Sequence, residues 1–279
     1  MALINFHNFS FRYKGNENYA LKDINLEIEE NKFILLLGET GSGKTTLIRC
    51  MNGLIPQFYS GFYRGSVAVK GADTSKVPIA DLSTIVGIVF QNPENQLVSM
   101  NVEHEIAFGL ENWGFPREHI RKKIKEVSEL TGIKTLLEKA PFEISGGEQQ
   151  RVAIASILAL EPEILILDEP TSNLDPYFAE KIITLLKELQ KKKKISVIIS
   201  EHRLDLILPL ADEIILMKKG EVIQHDEKKK VLNGDIFKDL DINKPFYYSI
   251  FHTLKEKGIF DEPLPFSLED ALKVIKKKL

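Results

Sequence analysis

The chain has 279 residues, of which 43% are hydrophobic, 28% charged and 9% aromatic, enough apolar material for one or two ordinary cores without disulfides or structural metals. Against 40 Asp and Glu stand 37 Lys and Arg, a formal charge of -3 that gives no global attraction to nucleic acid. A single cysteine, Cys50, excludes an internal disulfide, and six His with one Cys offer no zinc spacing, a pattern that fits a reducing cytosol.

In chain order, the first residues carry no apolar signal core with a cleavage site, so no secretion signal is expected. Residues 3–11 and 19–28 read as an antiparallel strand pair around the turn-forming stretch 13–18. The apolar run 32–38 ends in glycine and leads through a loop into 45–52, where Leu47, Ile48 and Met51 have helical spacing and Cys50 reads as packing. Segments 66–70, 86–90, 164–167, 195–200 and 213–217 have strand length, several as apolar as fully buried sheet strands. Segments 117–130, 147–160 and 177–190 read as helices, and the interval between residues 90 and 164 exceeds an ordinary crossover, so a helical insertion is expected at about 92–160.

The most apolar later stretch, 153–170, is broken by Glu161, Pro162 and Glu163, whereas a bilayer span needs about 20 largely apolar residues. No membrane crossing is expected. After residue 228 the pattern changes. Phe237, Phe246, Tyr247, Tyr248, Phe251, Phe260 and Phe266 supply enough aromatic surface to pack a short helical appendage over 229–279. The Lys runs 191–194, 228–230 and 276–278 read as solvated faces.

The chemistry concentrates at two places. Gly38, Glu39, Thr40, Gly41, Ser42, Gly43, Lys44 and Thr45 satisfy the pattern GxxxxGK[ST] between a strand and a helix, the context that gives it meaning. Its glycines permit a tight loop whose N–H groups point at phosphate oxygens. Lys44 supplies charge at the beta and gamma phosphates, Thr45 can coordinate magnesium, and Thr46 is placed for the alpha phosphate. The run 164–167 then delivers Asp168 and Glu169 at a strand end, where Asp168 is expected to organise magnesium and Glu169 can polarise the attacking water.

With Ser145, Gly146, Gly147, Glu148, Gln149, Gln150 and Arg151 shortly before that acidic pair, the arrangement over residues 1–228 resembles the ATP-binding-cassette ATPases. The resemblance implies an α/β P-loop NTPase fold with N-terminal antiparallel strands and a helical insertion, binding ATP and Mg²⁺ in a head-to-tail dimer. The phosphate loop and the Ser145, Gly146, Gly147 and Glu148 signature would then face one ATP from opposite subunits. The common signature has Leu and Gln where this chain has Ile144 and Glu148; Ile144 keeps the burial and Glu148 adds a negative charge near the site. The resemblance also gives Tyr13 an adenine-stacking role, Gln91 contact with magnesium and water and the relay to a membrane partner, Asp175 a place in the loop crossing to the opposite site, and His202 the gamma phosphate and the water beside Glu169.

More narrowly, residues 89–97 and 102–112, the sequence Ser200, Glu201, His202, Arg203, Leu204, and the aromatic C-terminal part resemble the ATPase subunits of energy-coupling factor transporters for vitamins or metal ions. That implies a second ATPase subunit, a transmembrane coupling subunit, a membrane substrate-binding component, and a peripheral location on the cytoplasmic face of the cell membrane. The contrasting reading is a soluble, nontransport ATPase of the same family that remodels nucleic-acid, ribosomal or protein complexes. It gains nothing from the near-neutral charge and the absence of a long coiled coil or basic extension.

Overall fold

The computed structural model describes residues 2–234, 236–237 and 240–278. Two sheets organise it. The first is antiparallel, in the order β2-β1-β4-β5, with β1 (Ala2–Tyr13), β2 (Leu21–Glu29), β4 (Gly61–Val69) and β5 (Ala72–Asp73). The second has six strands in the order β10-β9-β3-β8-β7-β6. Here β3 (Phe33–Gly38), β6 (Val86–Val89), β7 (Ile164–Asp168), β8 (Ser196–Ser200) and β9 (Glu213–Lys218) run parallel, and β10 (Glu221–Glu227) returns antiparallel along the β9 edge.

The five parallel strands of the second sheet are buried on both faces, which is why they are apolar runs rather than alternating ones. On one face Leu35, Leu165, Val197 and Leu216 join the core under the helical insertion and helix Pro176–Lys193. On the other, Ile34, Ile166, Ile198 and Met217 pack against the Phe-rich antiparallel sheet and helix Lys44–Met51, where Cys50 is buried and its thiol pushed well above the ordinary range. Burying each such side chain contributes about 1.5–3 kcal/mol. The two faces together hold the strand ends in fixed register, and the C-terminal ends of β3, β7 and β8 lie side by side.

The expected insertion contains helices Val102–Asn112, Arg117–Leu130 and Gly146–Ala159. Strand β10 was not anticipated: its interior residues are uniformly half-buried, and His225, Asp226 and Glu227 mask the strand signal. After β10, Phe237, Tyr247, Tyr248, Phe251 and Phe260 join the same core as the insertion, and Tyr248 Oη donates to Leu232 O at 2.8 Å. Lys228 departs from the expected solvated face. It is half-buried and donates to Leu208 O at 3.1 Å and Pro209 O at 2.7 Å, so it satisfies carbonyls where helix Leu204–Ile207 ends.

The insertion meets the sheet domain at a ring of ion pairs. Lys123, 8% exposed, reaches Glu126 Oε2 at 2.9 Å and Glu161 Oε1 at 2.8 Å; Lys193 reaches the same two carboxylates at 3.3 and 3.0 Å. Hydrogen bonds from Lys123, opposed by partial burial, hold both carboxyls below their ordinary 4.5. A folded-state value below the unfolded one adds stability that is present above 4.5 and lost as pH falls through the lowered values. The side chains of Glu126 and Glu161 are 40% and 48% exposed, so screening limits the effect to about 1 kcal/mol. Lys123→Met should therefore melt lower at neutral pH and lose less of its melting temperature in acid than the parent. Parallel acid slopes for the two proteins, measured by thermal melting across a pH series, would refute this.

Candidate active site

The loop after β3 is built for close approach. Gly43 lies at φ 104° and caps helix Lys44–Met51, and a side chain there would meet Ala20 O at 2.7 Å. Only glycine meets both conditions. Lys44, the first helical residue, is 7% exposed and folds back so that Nζ donates to Gly38 O at 2.8 Å and Glu39 O at 3.2 Å. Burial lowers its pKa, while Glu169 and Asp168 work in the opposite direction. The Ser42 hydroxyl is buried without a partner among the described residues.

At the end of β7, Asp168 is 4% exposed and accepts from Thr45 Oγ1 at 2.7 Å and Ser200 Oγ at 2.5 Å. The next residue, Glu169, takes a left-handed backbone at φ 49°, unusual for a residue with a side chain. That turn is braced by Glu169 N donating to Ser200 O at 3.0 Å, and it sends the two adjacent carboxylates to different partners. Glu169 Oε2 accepts from Gln91 Nε2 at 2.6 Å, and Oε1 lies 3.0 Å from His202 Nε2. The backbone just before Gln91 is held by Gln96, whose Oε1 accepts from Phe90 N at 3.2 Å and whose Nε2 donates to Ile88 O at 3.1 Å.

Of the expected site residues, the phosphate-loop set from Gly38 to Thr45, with Asp168, Glu169, Gln91 and His202, converge on this one region. Thr45, Gln91 and Asp168 line a single cleft of about 320 Å³. An oxygen donor set with one carboxylate suits magnesium, which keeps waters and takes phosphate oxygens as its remaining ligands. Among the described residues no group of three or more His, Cys, Asp and Glu could hold a metal. The glycine loop at a helix start and the buried Lys44 suit a polyphosphate.

Tyr13 stands beside this centre with its hydroxyl occupied: it lies 3.2 Å from Thr46 Oγ1 and accepts from Arg49 Nη1 at 3.2 Å. Its half-buried ring packs edge-on against Phe11 at 4.8 Å. Ser145 and Glu148 form a reciprocal cap at the start of helix Gly146–Ala159. Glu148 Oε2 accepts from Ser145 N at 2.8 Å and Ser145 Oγ at 2.9 Å, and the backbone N–H is the main reason its carboxyl sits below 4.5. The signature's carboxylate thus has a local role in a capping box. Gly146 and Gly147 are the first two helical residues. Asp175 caps helix Pro176–Lys193, accepting from Tyr177 N at 3.0 Å and Phe178 N at 3.2 Å. Among the described residues, no hydrogen bond joins Ser145, Gly146, Gly147, Glu148 or Asp175 to the phosphate loop of the same chain.

Ser200 was missed as a site residue. It braces both Asp168 and Glu169, and its place at the end of the apolar run 195–200, two residues before His202, was the available signal.

A family model described as ABC transporter matches residues 21–172. A protein of Pyrococcus abyssi that carries the name of an ABC transporter ATP-binding protein is 39% identical over 280 residues, spanning 100% of both chains; one from Pyrococcus horikoshii is 38% identical, covering 99% of this chain and 97% of that one. Among solved structures, cbiO1 of Clostridium perfringens, described as part of the ABC transporter complex cbiONQ, superposes with a TM-score of 0.73 at 32% identity, covering 92% of this chain and 95% of that one. A dimeric ATP-binding cassette in a post-hydrolysis state with ADP and Pi gives 0.72 at 29% identity, covering 81% and 98%. The loop, the paired carboxylates and the insertion thus occur together in a chain that matches these relatives over nearly its whole length, and it belongs to the ABC transporter family of ATP-binding proteins.

Proposed function

We propose that the chain is the ATP-hydrolysing subunit of a membrane importer of the energy-coupling factor type. The observation that carries the enzymatic part is the Glu169 carboxylate, held between Gln91 and His202 next to Asp168 and the Lys44 loop. In this reading Lys44 and the N–H groups of residues 41–45 hold the phosphates of ATP, and Tyr13 packs on the adenine. Thr45, Asp168 and Gln91 hold Mg²⁺, which when bound neutralises phosphate charge. Glu169 takes the proton of the attacking water, and His202 fixes that water and the gamma phosphate.

Ser145, Gly146, Gly147, Glu148 and Asp175 serve the nucleotide of a second cassette across a head-to-tail dimer. Two ATP molecules then join the subunits, and hydrolysis releases them. The dimeric cassette with ADP and Pi among the solved structures is consistent with this arrangement.

Transport is supported by the likeness to cbiO1 and by the surface that follows Gln91. Val98, Met100 and Phe108 are 71%, 87% and 50% exposed, an apolar set suited to a helix of a transmembrane coupling subunit. No described helix is long and apolar enough to cross a membrane, so the chain would act at the cytoplasmic face as a peripheral subunit. A membrane substrate-binding component would select the vitamin or metal ion. Co-purification from detergent extracts should recover a multi-span membrane protein. Met100→Glu combined with Phe108→Glu should lower that recovery about tenfold or more, since a buried apolar anchor is worth about 2 kcal/mol, while ATP binding is retained. Recovery only with ribosomes or soluble nucleic-acid complexes would replace transport with a remodelling role.

A further inference from the structure

We propose that Glu201 is a positioning residue that staples the His202 loop to the loop following Glu169 and so sets the distance between His202 and the base. The inference rests on the roles given above to Glu169 and His202. Glu201 is 4% exposed, so it does not meet substrate itself. Both of its oxygens are occupied by donors from the two loops. Oε1 accepts from Thr171 N at 2.9 Å and from the Thr171 hydroxyl, and Oε2 accepts from His202 N at 2.8 Å and Arg203 N at 3.1 Å. Arg203 adds a second link, Nη1 to Leu174 O at 3.4 Å.

Four donors converging from two directions require a carboxylate. An amide or a hydroxyl offers a single oxygen and could satisfy only one loop. The arrangement matters because the His202 side chain is 45% exposed, so packing does not hold the ring against Glu169 Oε1. Its backbone must. On the other side, Ser172 N and Oγ donate to Glu169 O at 3.3 and 3.0 Å, so the loop that Glu201 grips is also the one that braces the turn carrying the base. The placement of His202 thereby depends on residues 171–175, whose last member, Asp175, is assigned above to the opposite nucleotide.

The test uses the full chain, with its partner subunits for turnover and alone for spectroscopy. Glu201→Gln should lower kcat about tenfold or more while KM for ATP stays within about twofold, because a displaced orienting group costs chemistry rather than binding. The ring resonance of His202, identified by its absence in His202→Ala, should shift in the same variant. Thr171→Val, which removes one donor, should lower kcat by less, and Thr171→Ser should restore it. An unchanged kcat in Glu201→Gln, a fall in kcat with the His202 resonance unmoved, or Thr171→Ser as slow as Thr171→Val would overturn the proposal. Glu169→Gln separates the two levels: if that variant turns over normally, the hydrolytic reading itself has failed, whereas its loss of turnover beside a normal Glu201→Gln rejects only the staple.

Discussion

Replacing Glu169 by Gln is expected to lower ATP turnover about a thousandfold while leaving ATP affinity near that of the parent. General-base catalysis by a positioned carboxylate is worth about 10²–10⁴ in rate, and an amide has no basicity to replace it. The substitution is close to isosteric, so its packing cost is small. An amide oxygen can still accept from Gln91, now at 2.6 Å from Oε2, and the backbone turn at φ 49° is braced through Glu169 N, Ser200 O and Ser172, none of which needs the carboxylate. Binding should persist because Lys44 and the glycine loop lie on a different element. With hydrolysis blocked and ATP retained, the cassette dimer should accumulate closed. Size-exclusion chromatography in ATP and Mg²⁺ should show a stable dimer for Glu169→Gln, in contrast to the hydrolysing parent. Turnover within tenfold of the parent would remove Glu169 from the base role.

Legibility from sequence followed chemical constraint. The phosphate loop could be read to the residue because each position answers a separate demand: Gly43 for a backbone at positive φ against Ala20 O, Lys44 for charge, Thr45 for a hydroxyl facing Asp168. The parallel strands were legible because burial on both faces leaves uninterrupted apolar runs. Strand β10 was not, since an edge strand whose interior residues are only half-buried tolerates the run His225, Asp226, Glu227, which carries no local strand preference. Glu148 shows a different limit. Its departure from the common signature residue reads in sequence as an added charge near the nucleotide, whereas its oxygen is engaged by Ser145 N and Oγ. Such a capping role depends on where the helix begins, and boundaries are the least determined feature of a sequence pattern. Ser200 and Glu201 escaped for a related reason: their partners Asp168 and Thr171 are 32 and 30 residues away, and only the sheet order brings β7 beside β8.

Lys44→Ala should act on the other half of the problem, weakening ATP binding about a hundredfold. A hydrogen bond from an ammonium to a charged acceptor contributes about 1.5–3 kcal/mol, and about 1.4 kcal/mol corresponds to tenfold in affinity. Two features of the site push the effect toward the upper end. Lys44 is 7% exposed, so solvent cannot substitute for the lost charge. Asp168 and Glu169, which favour the charged form of Lys44, would then face the incoming phosphates without that cation between. Part of the loss is therefore like-charge repulsion among groups that are largely buried and only a few ångströms apart, where salt screens little. The deficit of Lys44→Ala should accordingly persist at physiological ionic strength. Lys44→Arg tests geometry against charge: the larger guanidinium keeps the charge but cannot occupy the buried position between Gly38 O and Glu39 O, so it should not rescue binding. Titration calorimetry with ATP and Mg²⁺ on the parent, Lys44→Ala and Lys44→Arg decides the matter. An affinity of Lys44→Ala within twofold of the parent would show that Lys44 does not supply the charge that holds the phosphates.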